Sequence, residues 1–239
     1  MSDRPATVSR SASVTLAVAA IALVLGALAF IVSETLGAAA WTTPRYSYSG
    51  NYVSDLGNPQ CGAYDGRMVC SPWHMLMNSA FFVQGALVGC AAWLLGRVLA
   101  GRSRALVRGV GVITAVGFVV TGVVPSSPQT AAQGTLWLHY LGATLAIAGT
   151  NTLAILVSRQ WRRLQIPAPV GGLGVGLGAV GLLVTVLWPA IFGLVPPGIP
   201  ERVAVYVFLL WQLCFGGFAL HVTQPMRLLL ERPSASARH

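Results

Sequence analysis

The run Val14–Val32, VTLAVAAIALVLGALAFIV, decides the fold class. It is uncharged over about the 20 residues that cross a bilayer core of about 30 Å, and Arg4 and Arg10 precede it. Five further runs of this kind follow: Met75–Leu95, Val110–Val124, Leu136–Val157, Val170–Leu194 and Val203–Val222. The predicted fold is all-α, a six-transmembrane-helix bundle (residues 13–224) with short tails (1–12 and 225–239). One long extracytoplasmic loop, residues 37–73, joins the first two helices. A cleaved signal peptide competes for the first run, since Ala38-Ala39-Ala40 offers small residues. The run exceeds the usual h-region of about 7–15 residues, so a retained helix is expected. Pro189 near the far end of the fifth run predicts a kink or fray there.

Composition agrees with lipid as the solvent. Hydrophobic residues make up 55% of the 239-residue chain and charged residues 9%, where soluble domains carry about a quarter charged. A net charge of +9 would suggest nucleic acid in a soluble protein, but the basic residues lie in short clusters between apolar runs, so no nucleic-acid partner is expected. All of them are arginine, and Ala, Gly and Val dominate. That bias fits a GC-rich bacterial genome, hence a bacterial cell membrane.

Arginine placement sets the orientation, because positive residues are retained on the cytoplasmic side. Twelve of the fifteen fall in the two tails and in the loops after the second and fourth runs, leaving only Arg45, Arg67 and Arg202 on the other side. Both termini are therefore predicted to be cytoplasmic. The loop Tyr46–His74, YSYSGNYVSDLGNPQCGAYDGRMVCSPWH, then faces outward, where disulfides persist. A Cys61–Cys70 bridge is the expected reading and free thiols the alternative; Cys90 and Cys214 sit inside apolar runs.

Two patterns are set aside. Gly176–Gly181 matches G-x-G-x-x-G but neither follows a strand nor opens a helix. Gly172/Gly176 and Gly174/Gly178 instead repeat at the spacing of close helix packing. The tryptophans and tyrosines near run ends, such as Trp137 and Tyr140, read as interfacial anchors.

The remaining polar residues gather toward one membrane surface. Ser54 and Asp55 lie in the loop, His74 opens the second helix and Asn78 is one turn deeper. His139 sits inside the fourth run, Glu201 and Arg202 open the sixth, and Glu34 closes the first. Ionisable groups at membrane depth usually face the bundle interior or a cavity, so an outer-leaflet pocket is expected from Ser54, Asp55, His74, Asn78, His139, Glu201 and Arg202. Each also has a plainer reading: Ser54-Asp55 as a turn, Glu201-Arg202 as a helix start, His139 as a satisfied core histidine. No H-x-x-x-H or H-E-x-x-H spacing is present, and no metal or cofactor is expected.

Several of these pieces resemble the bacterial DUF998 membrane proteins, a family of unknown function distantly similar in layout to the Frag1/DRAM/Sfk1 group. The resemblance rests on Tyr48–Gly57 (YSGNYVSDLG) for an S-[DE]-L-G loop and Asn78–Gly85 for an N-x(6)-G second helix. Gly122–Pro125 followed by His139 matches a G-x-x-P loop and histidine, and Glu201-Arg202 with Trp211 an E-R start of the last helix. It implies a six-helix membrane domain and draws attention to Asp55, Asn78, His139, Glu201 and Arg202. The Cys61/Cys70 insert and His74 stand outside it.

Two functions are expected. One is a non-enzymatic membrane protein whose outer-leaflet pocket takes a lipid or small amphiphile, as a transport, sensing or assembly component. The alternative is an intramembrane hydrolase or transferase acting on a lipid headgroup, with Asp55 and His139 as acid and base and Arg202 holding an anion. An ion or proton pathway ranks last for want of acidic residues midway through the runs.

Overall fold

The computed structural model describes residues 10–230, with side chains described as far as Thr223. Among them are seven helices: α1 (Arg10–Ala40), α2 (His74–Val98), α3 (Gly101–Val123), the short α4 (Pro128–Ala132), α5 (Leu136–Ser158), α6 (Ala168–Ile191) and α7 (Gly198–Leu230). All but α4 are long and apolar enough to cross a membrane. The expected boundaries move in places. α1 continues past Glu34 to Ala40, and α6 runs through Pro189 to Ile191. The segment between α1 and α2 adds a 3-10 turn (Ser54–Gly57) and an antiparallel hairpin, β1 (Gly62–Tyr64) and β2 (Arg67–Val69).

The long helices are apolar on both faces, as a span needs when one side meets neighbours and the other meets lipid. In α1, Val14, Val18, Ile21, Leu25, Leu28 and Val32 are exposed, while Leu16, Leu23, Ala27 and Phe30 are buried. The helices close into a ring in chain order, α1 beside α2, then α3, α5, α6 and α7, which returns to α1. α5 also touches α7 across the middle.

Small residues bring the backbones together. A Cβ on Gly117 of α3 would meet the Gly142 carbonyl oxygen of α5 at 2.8 Å, and one on Gly142 would meet the Gly117 carbonyl oxygen at 3.0 Å. On α6 the two glycine pairs separate. Gly174 and Gly178, with Gly171 and Gly181, pack against Asn151, Ser158 and Trp161, whereas Gly172 and Gly176 face open space. Close packing is therefore the role of one stripe only.

Two apolar clusters fill the ring. One, at the hairpin end, centres on Phe30, Trp41, Leu56, Met77, Phe81, Phe118 and Phe208; the other holds Leu23, Leu95, Leu99, Val157, Trp211 and Phe215. Gln84 of α2 and Gln212 of α7 lie between these clusters along their helices. Both are fully buried and joined by a 3.0 Å hydrogen bond from Gln84 Nε2 to Gln212 Oε1.

Candidate functional site

Everything notable at the hairpin end depends on how residues 41–73 fold back over the helix ends. Tyr46 packs on Trp41 and Tyr48, with ring centroids 5.2 and 5.3 Å away, and its hydroxyl donates to the Tyr52 carbonyl at 2.9 Å. This reversal puts the 3-10 turn, Ser54-Asp55-Leu56-Gly57, over the bundle. Ser71 Oγ donates to the Leu56 carbonyl at 2.7 Å and Asn78 Nδ2 to the Gly57 carbonyl at 2.9 Å. A Cβ on Gly57 would collide with the Asn78 side-chain oxygen, so only glycine lets the turn sit this close to α2.

Asp55 is the centre of the first polar knot. Its carboxylate is fully buried and accepts the Arg67 fork at both oxygens, Nε to Oδ2 and Nη2 to Oδ1, each at 2.7 Å. Oδ2 also takes the Tyr52 N–H at 2.9 Å and Asn51 Nδ2 at 3.3 Å. Two-point arginine pairing fixes direction as well as distance, which a lysine would not do. Arg67 reaches on to Asp65 Oδ2 at 2.8 Å and lies 4.5 Å above the Tyr52 ring. Burial works to lower the Arg67 pKa, but Asp55 and then Asp65 outweigh it and the guanidinium is held above its ordinary value. Burial pushes the Tyr52 phenol up to about 12 and raises that of Tyr46 further.

The hairpin supplies Arg67 through a tight turn. Asp65 (φ 48°) and Gly66 (φ 73°) both occupy the left-handed region, the geometry that a two-residue turn demands and that Asp-Gly suits. Cys61 and Cys70 are joined by a disulfide across the base of the two strands.

Arg202, from the first turns of α7, makes the second knot. Nε donates to Glu34 Oε1 at 3.2 Å, and Nη1 donates to the carbonyls of Tyr48, Asn51 (2.7 Å) and Gly198 (3.2 Å). Nη2 donates to the Tyr46 hydroxyl. Tyr206 donates to the same Glu34 oxygen at 2.9 Å, and Glu201 Oε2 accepts the Val53 N–H. Arg202 thus ties α1, α7 and the folded-back segment at one point.

The seven expected site residues share one end of the bundle but not one cavity. Ser54 and Glu201 border an enclosed space with Phe30, Phe81, Phe118 and Phe208, about 20 Å³ as open to the centre of a water, room for about one. Arg202 instead borders an open furrow of about 520 Å³ on α7, with Tyr48, Ser49, Val203, Tyr206 and Leu210. Asp55, Asn78 and His139 border neither, and half-buried His74 lies against the Ser71 carbonyl at 3.3 Å. His139 is 3% exposed and donates from Nδ1 to the Val124 carbonyl at 2.7 Å, binding the end of α3 to α5. The arrangement holds charge in place rather than offering it. Asp55 has four donors on two oxygens and no exposed surface. Among the described residues no group of three or more His, Cys, Asp or Glu side chains is placed to hold a metal ion.

Arg67, Asn51, Tyr46 and Tyr206 are the members that reading by depth passed over. Arg67 carried one signal: it is among the three arginines on the sparsely charged side. Asp65-Gly66 carried another, as the Asp-Gly turn that folds Arg67 back onto Asp55.

One family model, described as "Protein of unknown function (DUF998)", matches residues 24–217, a stretch that takes in part or all of each of the six long helices. No curated protein and no solved structure matches the chain.

Proposed function

The chain belongs to the DUF998 family, and from that premise we propose that this multi-pass membrane protein holds a lipid or small amphiphile at its hairpin end. In this reading the hairpin end is extracytoplasmic, both termini are cytoplasmic and the membrane is the bacterial cell membrane. The protein is then a transport, sensing or assembly component. The observation that carries it is the α7 furrow. Ile199, Val203, Tyr206 and Leu210 recur at helical spacing as an exposed apolar strip, and Tyr48, Ser49 and Arg202 place polar groups at its hairpin end. An apolar body with a polar head is the shape such a strip suits. Ser54, Asp55, His74, Asn78, His139 and Glu201 serve here as the frame that keeps Arg202 and the segment 46–52 in place.

The headgroup-enzyme reading gains no support from the geometry. A general base must be within reach of a substrate proton, and the Asp55 carboxylate is taken up by Arg67, Tyr52 and Asn51. The test is lipid retention. Protein purified in mild detergent should carry lipid detectable by mass spectrometry, and Val203→Trp, which fills the furrow, should lose most of it. Equal lipid content in both proteins would overturn the proposal.

A further inference from the structure

A second opening at the hairpin end has a different chemistry. It is a cleft of about 100 Å³ between the hairpin and the turn from α6 to α7, bordered by Tyr52, Asp65, Arg67, Trp188, Phe192 and Pro197 among others. It shares no residue with the α7 furrow, and its ligand chemistry is independent of the lipid reading.

Charge and ring placement select what the cleft takes. Arg67 is matched by the two-point pair with Asp55, so the three charges of Asp55, Asp65 and Arg67 leave one negative charge over. That charge belongs to Asp65, whose side chain is 51% exposed and which uses Oδ2 for Arg67. Oδ1 accepts from no described residue. Aromatic rings line the cleft as well: Tyr52 and Trp188 lie with centroids 6.0 Å apart, and Phe192 borders the opening at 63% exposure. Aromatic faces attract cations through their quadrupole, and Tyr52 already carries Arg67 on one face. An anion would meet the Asp65 carboxylate, while the guanidinium that lines the cleft is already spent on carboxylates. A metal ion would find a single carboxylate where it needs several oxygens.

We propose that the cleft between the hairpin and the α6–α7 turn binds an organic ammonium group, with Asp65 as its counter-ion and Trp188 and Phe192 as its aromatic wall. A volume of this order suits an ammonium with short substituents and not a whole amphiphile. An ethanolamine-type lipid headgroup and a free small amine share this chemistry. The neighbouring exposed Val186, Leu194 and Val195 set the cleft beside an apolar surface from which a lipid headgroup can be presented, whereas a free amine would enter from water.

The full chain, reconstituted in phosphatidylglycerol nanodiscs, is probed with tetramethylammonium by saturation-transfer NMR. Transfer to its methyl protons is expected, with at least a tenfold loss in Asp65→Asn and in Trp188→Leu, and no change in Val112→Ala on the exposed face of α3. Displacement of the probe by phosphatidylethanolamine in the disc identifies a headgroup site. Displacement by ethanolamine alone identifies a free-amine site. Absence of transfer to the wild type, or equal transfer in the Asp65 and Trp188 variants, overturns the proposal. Should Asp65→Asn not fold, Phe192→Ala, at an exposed turn, carries the same test.

Discussion

Glu34 and Arg202 lie 168 residues apart in the chain and 3.2 Å apart in the structure, where α1 and α7 close the ring. Their side chains are 3% and 8% exposed. Removing one member of such a pair strands the other in a low-dielectric setting. Arg202→Ala is expected to lower stability by about 3–5 kcal/mol, read as thermal unfolding in detergent. Arg202→Lys should recover only part of this, because an ammonium cannot reach Glu34, Tyr46 and three carbonyls in one plane. The double variant Glu34→Ala/Arg202→Ala should be less damaged than the two losses added together.

Asp55→Asn keeps the shape of the turn and removes the charge that holds Arg67. A loss of about 3 kcal/mol is expected, with the hairpin freed for protease attack between Asp65 and Met68. Asp65→Asn, at a half-exposed position, should leave stability within about 0.5 kcal/mol. Equal protease resistance in wild type and Asp55→Asn would show that the Arg67 fork does not anchor the hairpin.

Burial holds the Tyr52 phenol at about 12, against about 10 for a free tyrosine. The folded protein therefore keeps this proton to higher pH than the unfolded chain does. Stability from Tyr52 is complete below about pH 10 and is lost as pH rises toward 12. In an ultraviolet titration, Tyr52→Phe should remove a tyrosinate step near pH 12; loss of a step below pH 11 instead would contradict the assignment.

The two glycine stripes of α6 give a paired test. Gly178→Ala and Gly181→Ala drive a methyl into Asn151 and should each cost about 1–3 kcal/mol or displace the helix. Gly172→Ala and Gly176→Ala meet open space and should be neutral or slightly stabilising, since alanine is the better helix former. Thermal unfolding of the four variants separates the stripes.

Removing the Cys61–Cys70 bridge by Cys61→Ser/Cys70→Ser releases a short loop, with a loss of roughly 2–3 kcal/mol on chain-entropy grounds. Protease sensitivity should rise within 61–70 while the helices stay intact. Unchanged cleavage in that segment would show that the Arg67 pairing alone suffices.

The six spans are legible because hydropathy is a sum over some 20 residues and tolerates local exceptions. Their ends are not. Glu34 looks like a stop, yet α1 runs on to Ala40 because Arg202 and Tyr206 neutralise and bond that carboxylate from the far end of the chain. The same distance effect hid the division of the site. Asp55, His139, Glu201 and Arg202 all fall at one depth, which sequence spacing can show. Which way each side chain turns depends on partners such as Arg67 and Val124 that no local pattern pairs with them. Arg67 could be suspected from the arginine count, but its reach to Asp55 depends on the turn at Asp65-Gly66.

The Gln84–Gln212 contact has a consequence for how this chain can vary. One donor–acceptor bond joins the two amides, and Gln84 Oε1 and Gln212 Nε2 find no other protein partner. Gly26 leaves room for the first of these oxygens, since a Cβ there would approach it to 2.6 Å. Changing either glutamine to leucine leaves the remaining amide without its partner between two apolar clusters. Changing both to apolar residues of similar size removes the need altogether. Positions 84 and 212 are therefore coupled: a change at one is better tolerated with a matching change at the other, and the side chain at 84 sets how much room position 26 must leave.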